Sequence, residues 1–384
     1  MSINHHHDVI IIGGGPAGSM AALYLSKYGF NTCIIEKKKF PREVLCGEFL
    51  SGEVSKTLKE LNLFESFLSE NPVKISQIKI INEKGTEISS EFDFSAYALK
   101  RSLFDHFLLK SAVNSGVKVY QPAEAKIIKR DGDNFLVEIK VSDDQEIIIN
   151  SDYVIAAYGK QNILDKKLNR SFVGPKTELH AIKFHIPNTC ISNFPLDEIR
   201  IYTGERIYCG LNRVSEQETT LCAIERRIND EHSPRSKILN LINTNESFGK
   251  LFGKDFEKLL YELPIYGTGN IFFGKKAKVE NGIFMTGDAA GVIAPLTGDG
   301  IGMAVQSAKL ISSLLLGQKF RKYTRKELEV KYLSEWNKIF LNRIRIAGFI
   351  QKLFFTKMIN NFSFTFVKNL PFVLPKLIRA TRGI

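Results

Sequence analysis

The stretch that decides the fold is HDVIIIGGGPAGSMAALYLSKYGFNTCIIEKK, residues 7–38. Its apolar run at residues 9–12 predicts a buried parallel strand, and residues 17–28 predict a helix that ends at Gly29. Residues 32–36 predict a second strand. Between the first strand and the helix, Gly13, Gly15 and Gly18 follow the spacing G-x-G-x-x-G. Strand, tight turn, helix and strand in this register are typical of a dinucleotide-binding Rossmann unit.

Each part of this unit has a physical reason to contact a dinucleotide. Gly13 permits the tight turn, Gly15 lets the backbone approach a pyrophosphate, and Gly18 lets the helix pack on the strand. The helix start offers free N–H groups and a positive dipole end to the phosphates, and Glu36 offers a carboxylate to ribose hydroxyls. This segment alone does not distinguish FAD from NAD. The residues predicted to contact the cofactor here are Gly13, Gly15, Pro16, Ala17, Gly18, Glu36 and Lys37.

A second glycine-rich segment, GDAAGVIAPLTGDGIGMAVQSA at residues 287–308, predicts a second helix start that suits a negative group. The apolar run before it predicts a short strand that ends in Gly-Asp. The carboxylate of Asp288 suits the hydroxyls of a ribityl chain, and the helix start suits the negative edge of a reduced flavin. The two helix starts are therefore expected to bind the two ends of one molecule, the pyrophosphate and the isoalloxazine of FAD.

Residues 8 to about 316 resemble the FAD-dependent superfamily of geranylgeranyl reductases, aromatic-ring hydroxylases and flavin-dependent halogenases, and most of all its geranylgeranyl-reductase-like branch. FPREVLCGEFLS at residues 40–51 resembles the P-R-E-x-x-C-G-E segment that runs beside the flavin. Residues 98–120 resemble the element whose arginine contacts FAD, and residues 287–305 match the G-D-A-A-G…P-x-T-G-x-G-I element. The resemblance implies flavin contacts for Arg42, Cys46, Gly47, Arg101, Gly159, Gly287, Asp288, Pro295, Gly298, Gly300 and Ile301.

The chain also departs from each of these relatives. Ring hydroxylases carry an Asp-Gly pair followed by a small polar residue and an arginine, but here Tyr158 precedes Gly159 and the later pair is lost. This disfavours direct reduction by NAD(P)H in the hydroxylase manner. The aromatic substrate strand of the reductases has its counterpart at residues 206–214, which keep Tyr208 without a tryptophan. Trp336 is the single tryptophan, so a tryptophan-type halogenase is the least expected relative.

The predicted fold is α/β, with a Rossmann-type FAD-binding domain of the glutathione-reductase-like class, an inserted antiparallel-sheet substrate domain and a helical C-terminal region. His180 and His185 have opposite strand phase, so at most one faces the ligand, and either is expected to be structural. Ser233 and Pro234 predict a helix start. The predicted boundaries are 1–70, 98–175 and 270–318 for the FAD-binding domain, 71–97 and 176–269 for the substrate sheet, and 319–384 for the C-terminal region.

The C-terminal region carries the whole net charge of +12, with 15 Lys and Arg against three Glu. No acidic residue follows residue 338, and phenylalanine recurs between the cations. Two interpretations remain open: a helix that lies on an anionic membrane surface, and a helical cap on the core with a solvated basic face. The helices are expected to be interrupted at Pro371 and Pro375. Nucleic acid is not a predicted partner, because no base-reading module accompanies the charge.

Five scattered cysteines without a C-x-x-C pair favour neither a disulfide framework nor a metal site. The expected location is cytoplasmic, with a peripheral position on the inner face of the membrane. The leading hypothesis is an FAD-dependent oxidoreductase that passes hydride to a C=C bond of an apolar lipid-, prenyl- or polyketide-like substrate. Its candidate catalytic residues are Cys46, Glu48 and Tyr208, and NAD(P)H is the expected external electron donor. The alternatives are a monooxygenase acting through a C4a-hydroperoxide and an electron-transfer flavoprotein docked at a membrane.

Overall fold

The computed structural model describes residues 3–142, 145–173, 177–227, 233–269, 271–320, 322–355 and 364–383. The predicted boundaries at 175 and 176 and at 270 fall outside these residues. The first sheet contains β1 (Ile3–Ile12), β2 (Thr32–Ile35), β6 (Lys118–Tyr120), β7 (Glu124–Asp131), β8 (Asn134–Ser142), β9 (Gln145–Ala156), β16 (Val279–Glu280) and β17 (Ile283–Met285).

The centre of this first sheet is parallel, as the continuous apolar run at residues 9–12 predicts. β1 lies between β2 and β9, with Ile10 opposite Cys33 on one side and Val154 on the other. All three side chains are fully buried, because both faces of a parallel sheet are covered. The carboxyl ends of β1, β2, β9 and β17 therefore meet at one edge of the sheet, where ligands bind in folds of this kind.

The second sheet receives strands from separate parts of the chain. It contains β3 (Phe49–Leu50), β4 (Val73–Ile81), β5 (Glu87–Ala98), β10 (Leu179–Pro187), β11 (Glu198–Gly204), β12 (Ile207–Arg213), β13 (Glu218–Arg226) and β14 (Tyr266–Thr268). The sheet was expected to be antiparallel, but β11 runs parallel to β4. This pair joins two insertions, and strands that no hairpin connects can pair in either direction.

The two faces of the second sheet have different surroundings. One face presents Phe184, Leu211 and Leu221, which are fully buried against the helices between β13 and β14. The opposite face, here called the inward face, carries Lys183 and Thr220 in the alternate strand phase. This inward face lies towards the predicted FAD-binding segment at residues 40–51, because Glu48 bonds to both of these residues.

The described helices surround the two sheets. A short two-stranded ribbon of β15 (Gly274–Lys275) and β18 (Gly291–Val292) lies beside them. The helices are α1 (Pro16–Lys27), α2 (Gly52–Glu60), α3 (Phe64–Leu68), α4 (Arg101–Asn114), α5 (Ile163–Lys167), α6 (Pro234–Thr244), α7 (Glu246–Gly249), α8 (Phe256–Glu262), α9 (Gly300–Lys319), α10 (Arg325–Phe354) and α11 (Val373–Ala380). Ser233 caps α6 by accepting the Ser236 N–H, and Pro234 is its first residue, as predicted.

Helix α9 is apolar and long enough to cross a membrane by length and composition, with a mean hydropathy of 1.3. It packs beside α1, and 61% of its apolar window is buried inside the protein. Its 20 residues thus form a central helix of the core. The small residues predicted along the first turns of α9 allow this close contact. For example, the Ser312 hydroxyl of α9 donates a hydrogen bond to the Ala21 carbonyl of α1 at 3.3 Å.

The C-terminal region packs one face of α10 on the core. Tyr332, Trp336 and Phe340 are fully buried, and the Tyr332 hydroxyl donates to the Met285 carbonyl at 2.6 Å. The predicted interruption at Pro375 is wrong, because this proline lies in the first turn of α11. The missing N–H of a proline has no intrahelical partner to lose there. Pro371 lies before α11, outside the described helices.

Candidate functional site

The turn between β1 and α1 is built from glycine contacts. Gly13 has φ of +106°, and a Cβ there would lie 2.6 Å from the carbonyl oxygen of Ala157. A Cβ at Gly18 would overlap the carbonyl oxygen of Gly13. Pro16 and Ala17 form the buried first turn of α1. The described helix start has no acidic residue in its first turn, which leaves its N–H groups available to a phosphate.

Glu36 lies directly after β2 and is almost completely buried. Its carboxylate accepts the Gly14 N–H at 2.7 Å and the Lys38 N–H at 2.8 Å. Arg42 lies close by, with its Nε 3.8 Å from Glu36 and without a hydrogen-bond partner among the described residues. The predicted contact residue Lys37 instead pairs with Glu124 at 2.7 Å, and its side chain is mostly exposed.

Four of the predicted contact glycines border open space. No atom lies within 4 Å of a Cβ placed at Gly47, Gly159 or Gly300, and at Gly15 the nearest is Arg42 Nη2 at 3.8 Å. These glycines come from four separate segments, and a Cβ at each would meet open space. Together with the unpartnered Nε of Arg42, this arrangement fits a long anionic ligand such as FAD.

The second glycine-rich segment lies against the start of α1 through Gly287. This residue has φ of +59°, and a Cβ there would lie 2.8 Å from the Cβ of Ala17. Asp288 follows it in a half-buried position, in a single turn of 3₁₀ helix. Pro295 begins another such turn, which ends at Gly298 with φ of +64°. Ile301 is buried in the first turn of α9.

Arg101 begins α4 beside the segment that resembles P-R-E-x-x-C-G-E. Its guanidinium makes two hydrogen bonds to Asp105, at 2.7 and 2.8 Å. Burial opposes the charge of Arg101, but the Asp105 carboxylate and the neighbouring Cys46 raise the pKa of this arginine above its usual value. The same Asp105 lies 3.4 Å from Arg42. Two cations thus share one buried carboxylate next to Cys46.

Glu48 is a fully buried carboxylate that links the second sheet to the start of α4. It accepts hydrogen bonds from His185 Nε2 at 2.7 Å, from Lys183 Nζ at 3.0 Å, from the Thr220 hydroxyl and from the Arg101 N–H at 2.9 Å. We call Glu48, Lys183, His185 and Thr220 the Glu48 cluster. The backbone of Glu48 is left-handed, with φ of 60°, and its N–H donates to the sulfur of Cys46 at 3.3 Å.

The charges of the Glu48 cluster stabilise one another. Burial would raise the pKa of Glu48, but the hydrogen bond from His185 and the charge of Lys183 lower it to about 2. Glu43, Glu48 and His185 place ligand-type atoms within 4.8 Å of one another. The ammonium of Lys183 already lies among them and contacts both glutamates, which disfavours a metal cation at this position.

The third candidate catalytic residue, Tyr208, lies on the inward face but outside this cluster. It is buried, and its hydroxyl donates to Gln351 of α10 at 3.5 Å. Burial raises its pKa well above the usual value. Of the two histidines, His185 faces Glu48, whereas His180 lies against Gly269. The opposite strand phase of the two histidines was predicted correctly.

Sequence reasoning missed Lys183 and Thr220. Lys183 occupies a buried phase of β10 two residues before His185, and a lysine at a core position of a strand is unusual unless it is paired. In the sequence, however, this lysine alternates with Ile182, Phe184 and Ile186, which is the pattern of a half-exposed strand, so its burial could not be predicted from that pattern. Thr220 could not be predicted either, because threonine is common in strands and its partner is distant in sequence.

Tyr158, which replaces the aspartate of the hydroxylase motif, forms a hydrogen-bonded triad with Asp165 and Arg170. The Tyr158 hydroxyl donates to Asp165 at 2.7 Å, and Arg170 contacts both the hydroxyl at 3.2 Å and the carboxylate at 2.9 Å. Burial and the charge of Asp165 raise the pKa of Tyr158. Arg170 also donates to the Ala289 carbonyl at 2.8 Å. Through Arg170, the tyrosine thus links the end of β9 to the segment around Asp288.

Comparison with known proteins agrees with the geometry. Residues 6–238 match the family model described as FAD binding domain. The chain is 27% identical to digeranylgeranylglycerophospholipid reductase 3 of Methanosphaera stadtmanae, over 79% of this chain and 75% of that protein.

Two solved structures share the fold. A geranylgeranyl bacteriochlorophyll reductase-like protein of Thermoplasma acidophilum superposes with a TM-score of 0.75 at 21% identity, covering 92% of this chain and 88% of that one. A flavin-dependent brominase superposes with a TM-score of 0.77 at 18% identity, covering 99% and 94%. These likenesses concern the architecture, which reductases and halogenases have in common.

Proposed function

Because this chain belongs to the FAD binding domain family and is a flavin-dependent oxidoreductase, we propose that it reduces C=C bonds of an apolar, prenyl-lipid-like substrate. The bound flavin, when reduced, supplies the hydride. The chain's own residues orient the substrate, exclude water and supply a proton. The observation that carries this proposal is the Glu48 cluster, in which the Glu48 carboxylate holds His185 on the inward face of the second sheet while the Glu48 N–H contacts Cys46.

The proton donor of this reaction is His185. A carboxyl group with a pKa of about 2 is ionised near neutral pH, so Glu48 holds its neighbours and does not donate. The half-buried His185 contacts Glu48 at 2.7 Å, and an imidazole is the commonest general acid in enzymes. Cys46, whose sulfur accepts the Glu48 N–H, is a second candidate. Tyr208 is a weaker donor, because burial raises its pKa and its proton is bonded to Gln351.

The relatives support the substrate class. The digeranylgeranylglycerophospholipid reductase of Methanosphaera stadtmanae is named for its substrate. We propose the same substrate class for this chain. NAD(P)H is the proposed external donor of electrons. Steady oxidation of NAD(P)H by the purified protein supports this donor, and the absence of any oxidation points to a partner protein instead.

The direct test is reduction of a double bond in the absence of oxygen. Purified holoprotein, reduced with dithionite under nitrogen, is incubated with digeranylgeranylglycerophospholipid, and the lipid is analysed by mass spectrometry. We expect a gain of two hydrogens for each double bond reduced. His185→Gln should bind FAD normally but form much less product. His180→Gln is the matched control, because His180 lies on the opposite face, and it should keep wild-type activity.

Two outcomes contradict the proposal. An unchanged lipid mass with wild-type protein under nitrogen, followed by gain of oxygen atoms in air, identifies a monooxygenase. Equal product from His185→Gln and wild type removes His185 as the donor and leaves Cys46 to be tested.

The exposed face of α10 supports a membrane partner for this enzyme. Lys338, Arg345, Phe349 and Lys352 recur at helical spacing and are exposed, whereas Trp336 on the other face is buried. Cations and an exposed aromatic side chain on one face suit the surface of an anionic bilayer. We therefore propose that the protein acts as a peripheral enzyme at an anionic membrane surface, where an apolar lipid is present.

Flotation with liposomes tests this membrane contact. Deleting the C-terminal region would expose the core around Trp336, so the suitable variant is Lys338→Gln/Arg345→Gln/Lys352→Gln. Each cation contributes about 1 kcal/mol to binding, so the triple variant should bind anionic vesicles roughly 100-fold more weakly. Vesicles of neutral lipid are the control. Equal recovery of the wild type and the triple variant with anionic vesicles would contradict the proposed membrane contact.

A further inference from the structure

A cluster of buried charges lies behind the start of α9. Asp299 directly precedes this helix and is fully buried. Its carboxylate contacts the guanidinium of Arg343, lies 3.6 Å from Nη1 of Arg382 and accepts the Ser51 hydroxyl at 3.2 Å. Glu53 is also buried, and it accepts a hydrogen bond from Arg343 at 3.1 Å.

Both arginines come from the basic C-terminal region. Arg343 projects from α10, and Arg382 follows α11. Arg382 also donates to the Thr297 carbonyl at 2.6 Å and lies over the ring of Phe49, 5.5 Å from its centroid. Phe49 in turn is the nearest neighbour of a Cβ placed at Gly298. The C-terminal region thus contacts residues 297–299, next to the predicted flavin contacts Gly298 and Gly300.

The charges in this cluster are balanced. Two guanidinium groups face two carboxylates, and Arg343, Arg382, Asp299 and Glu53 are all buried. Burial and the nearby Glu53 raise the pKa of Asp299 to about 6, although both arginines act in the opposite direction. Removing one arginine leaves an unpaired negative charge in the interior, where charges interact strongly.

We propose that Arg343 and Arg382 are positioning residues for the cofactor, which hold residues 295–302 and neutralise Asp299 at the start of α9. The C-terminal region is then part of the flavin environment and influences the midpoint potential of the flavin. This proposal rests on FAD binding by the family and is independent of the substrate.

The midpoint potential of the bound flavin tests this role. It is measured by anaerobic dye titration of purified holoprotein at pH 8, where Asp299 is ionised. We expect a more negative potential for Arg382→Gln, because an unpaired carboxylate opposes the negative charge that reduction adds. Adding Asp299→Asn to Arg382→Gln, to make a double variant, should return the potential towards the wild-type value. Arg379→Gln is the matched control, because Arg379 pairs with the exposed Asp93, and it should change nothing.

A second variant keeps the test decisive if Arg382→Gln does not fold. Asp299→Asn alone leaves both arginines in place, so it should shift the potential to more positive values. The proposal is overturned if Asp299→Asn leaves the potential unchanged. It is also overturned if Arg382→Gln and the double variant shift equally, since the charge of Asp299 would then have no part in the effect.

Discussion

The two ends of the predicted FAD site are built differently. The nucleotide end, defined by Gly13, Gly18 and Glu36, depends on close backbone contacts, which lie within residues 13–36 except for the backbone at Ala157 beside Gly13. The ring end, defined by residues 43–48, residues 295–302 and the inward face of the second sheet, depends on buried charges from distant segments. The first end therefore rests mainly on backbone geometry, whereas the second rests on side-chain charges that the whole fold brings together.

This difference has a chemical consequence. The nucleotide end contacts groups that stay constant during turnover, so a rigid backbone serves it well. The ring end surrounds the part of the cofactor whose charge changes, and preorganised charges act most strongly there. We expect substitutions of the packed backbone at the first end to cost both stability and FAD binding, and substitutions of the buried charges at the second end to change stability, potential or proton transfer.

The largest expected effect is a loss of FAD on Gly18→Ala. The new Cβ would overlap the Gly13 carbonyl, and such overpacking of backbone costs about 3 kcal/mol or more. The measurements are the flavin content of the purified protein and its thermal midpoint. Gly300→Ala at the ring end is the matched control, since no atom lies within 4 Å of its Cβ. It should keep the apoprotein stability and weaken FAD binding about tenfold, or about 1.4 kcal/mol.

If both glycine variants lose stability equally, the proposed contrast between a packed and an open glycine is wrong. If Gly300→Ala binds FAD as tightly as wild type, the open space beside Gly300 is not used by the cofactor.

The next largest effect is expected for Glu48→Gln. This change removes the charge that Lys183 and His185 face, and breaking a buried pair costs about 3 kcal/mol. Glu43→Gln is a control with the same chemistry, because Glu43 also contacts Lys183 but is a quarter exposed. It should cost less than about 1 kcal/mol. Urea unfolding of the two variants and wild type at pH 7 measures this difference, and equal losses would show that burial of Glu48 is unimportant.

A smaller effect is the pH dependence of the stability difference between wild type and Glu48→Gln. Folding lowers the pKa of Glu48 from 4.5 to about 2, so its contribution to stability is fully present above pH 4.5 and is lost as the pH falls towards 2. Each pH unit in this window removes about 1.4 kcal/mol. The stability gap between wild type and Glu48→Gln should therefore narrow between pH 5 and pH 3. A gap that stays constant over this range contradicts the lowered pKa.

The sequence predicts the nucleotide end well because its physics is local. The glycine spacing, the apolar run and the acidic residue after β2 all lie within residues 7–38, and each has one structural interpretation. The helix start at Ser233 and Pro234 was predicted for the same reason. At the ring end, the glycine-rich helix start and the segment at residues 40–51 were recognised, but the buried partners of Asp299 were not, because Arg343 and Arg382 reach it from the C-terminal region only after folding.

Long-range packing also explains the other failures. Which histidine faces Glu48 depends on which face of the second sheet the later helices cover, and strand phase alone leaves both choices open. The parallel pairing of β4 with β11 depends on how two insertions meet. Pro375 lies where a proline is tolerated, which requires the start of α11 to be known. The burial of Lys183 depends in the same way on what covers the inward face of the second sheet.

The central claim, that the reduced flavin passes its electrons to a lipid double bond, is tested most directly by anaerobic stopped-flow absorbance. Photoreduced holoprotein is mixed with digeranylgeranylglycerophospholipid under nitrogen, and the flavin absorbance is followed. The proposed function predicts that the absorbance of oxidised flavin returns without oxygen, in step with loss of double bonds from the lipid. Flavin that stays reduced with lipid and reoxidises only in aerated buffer would contradict it.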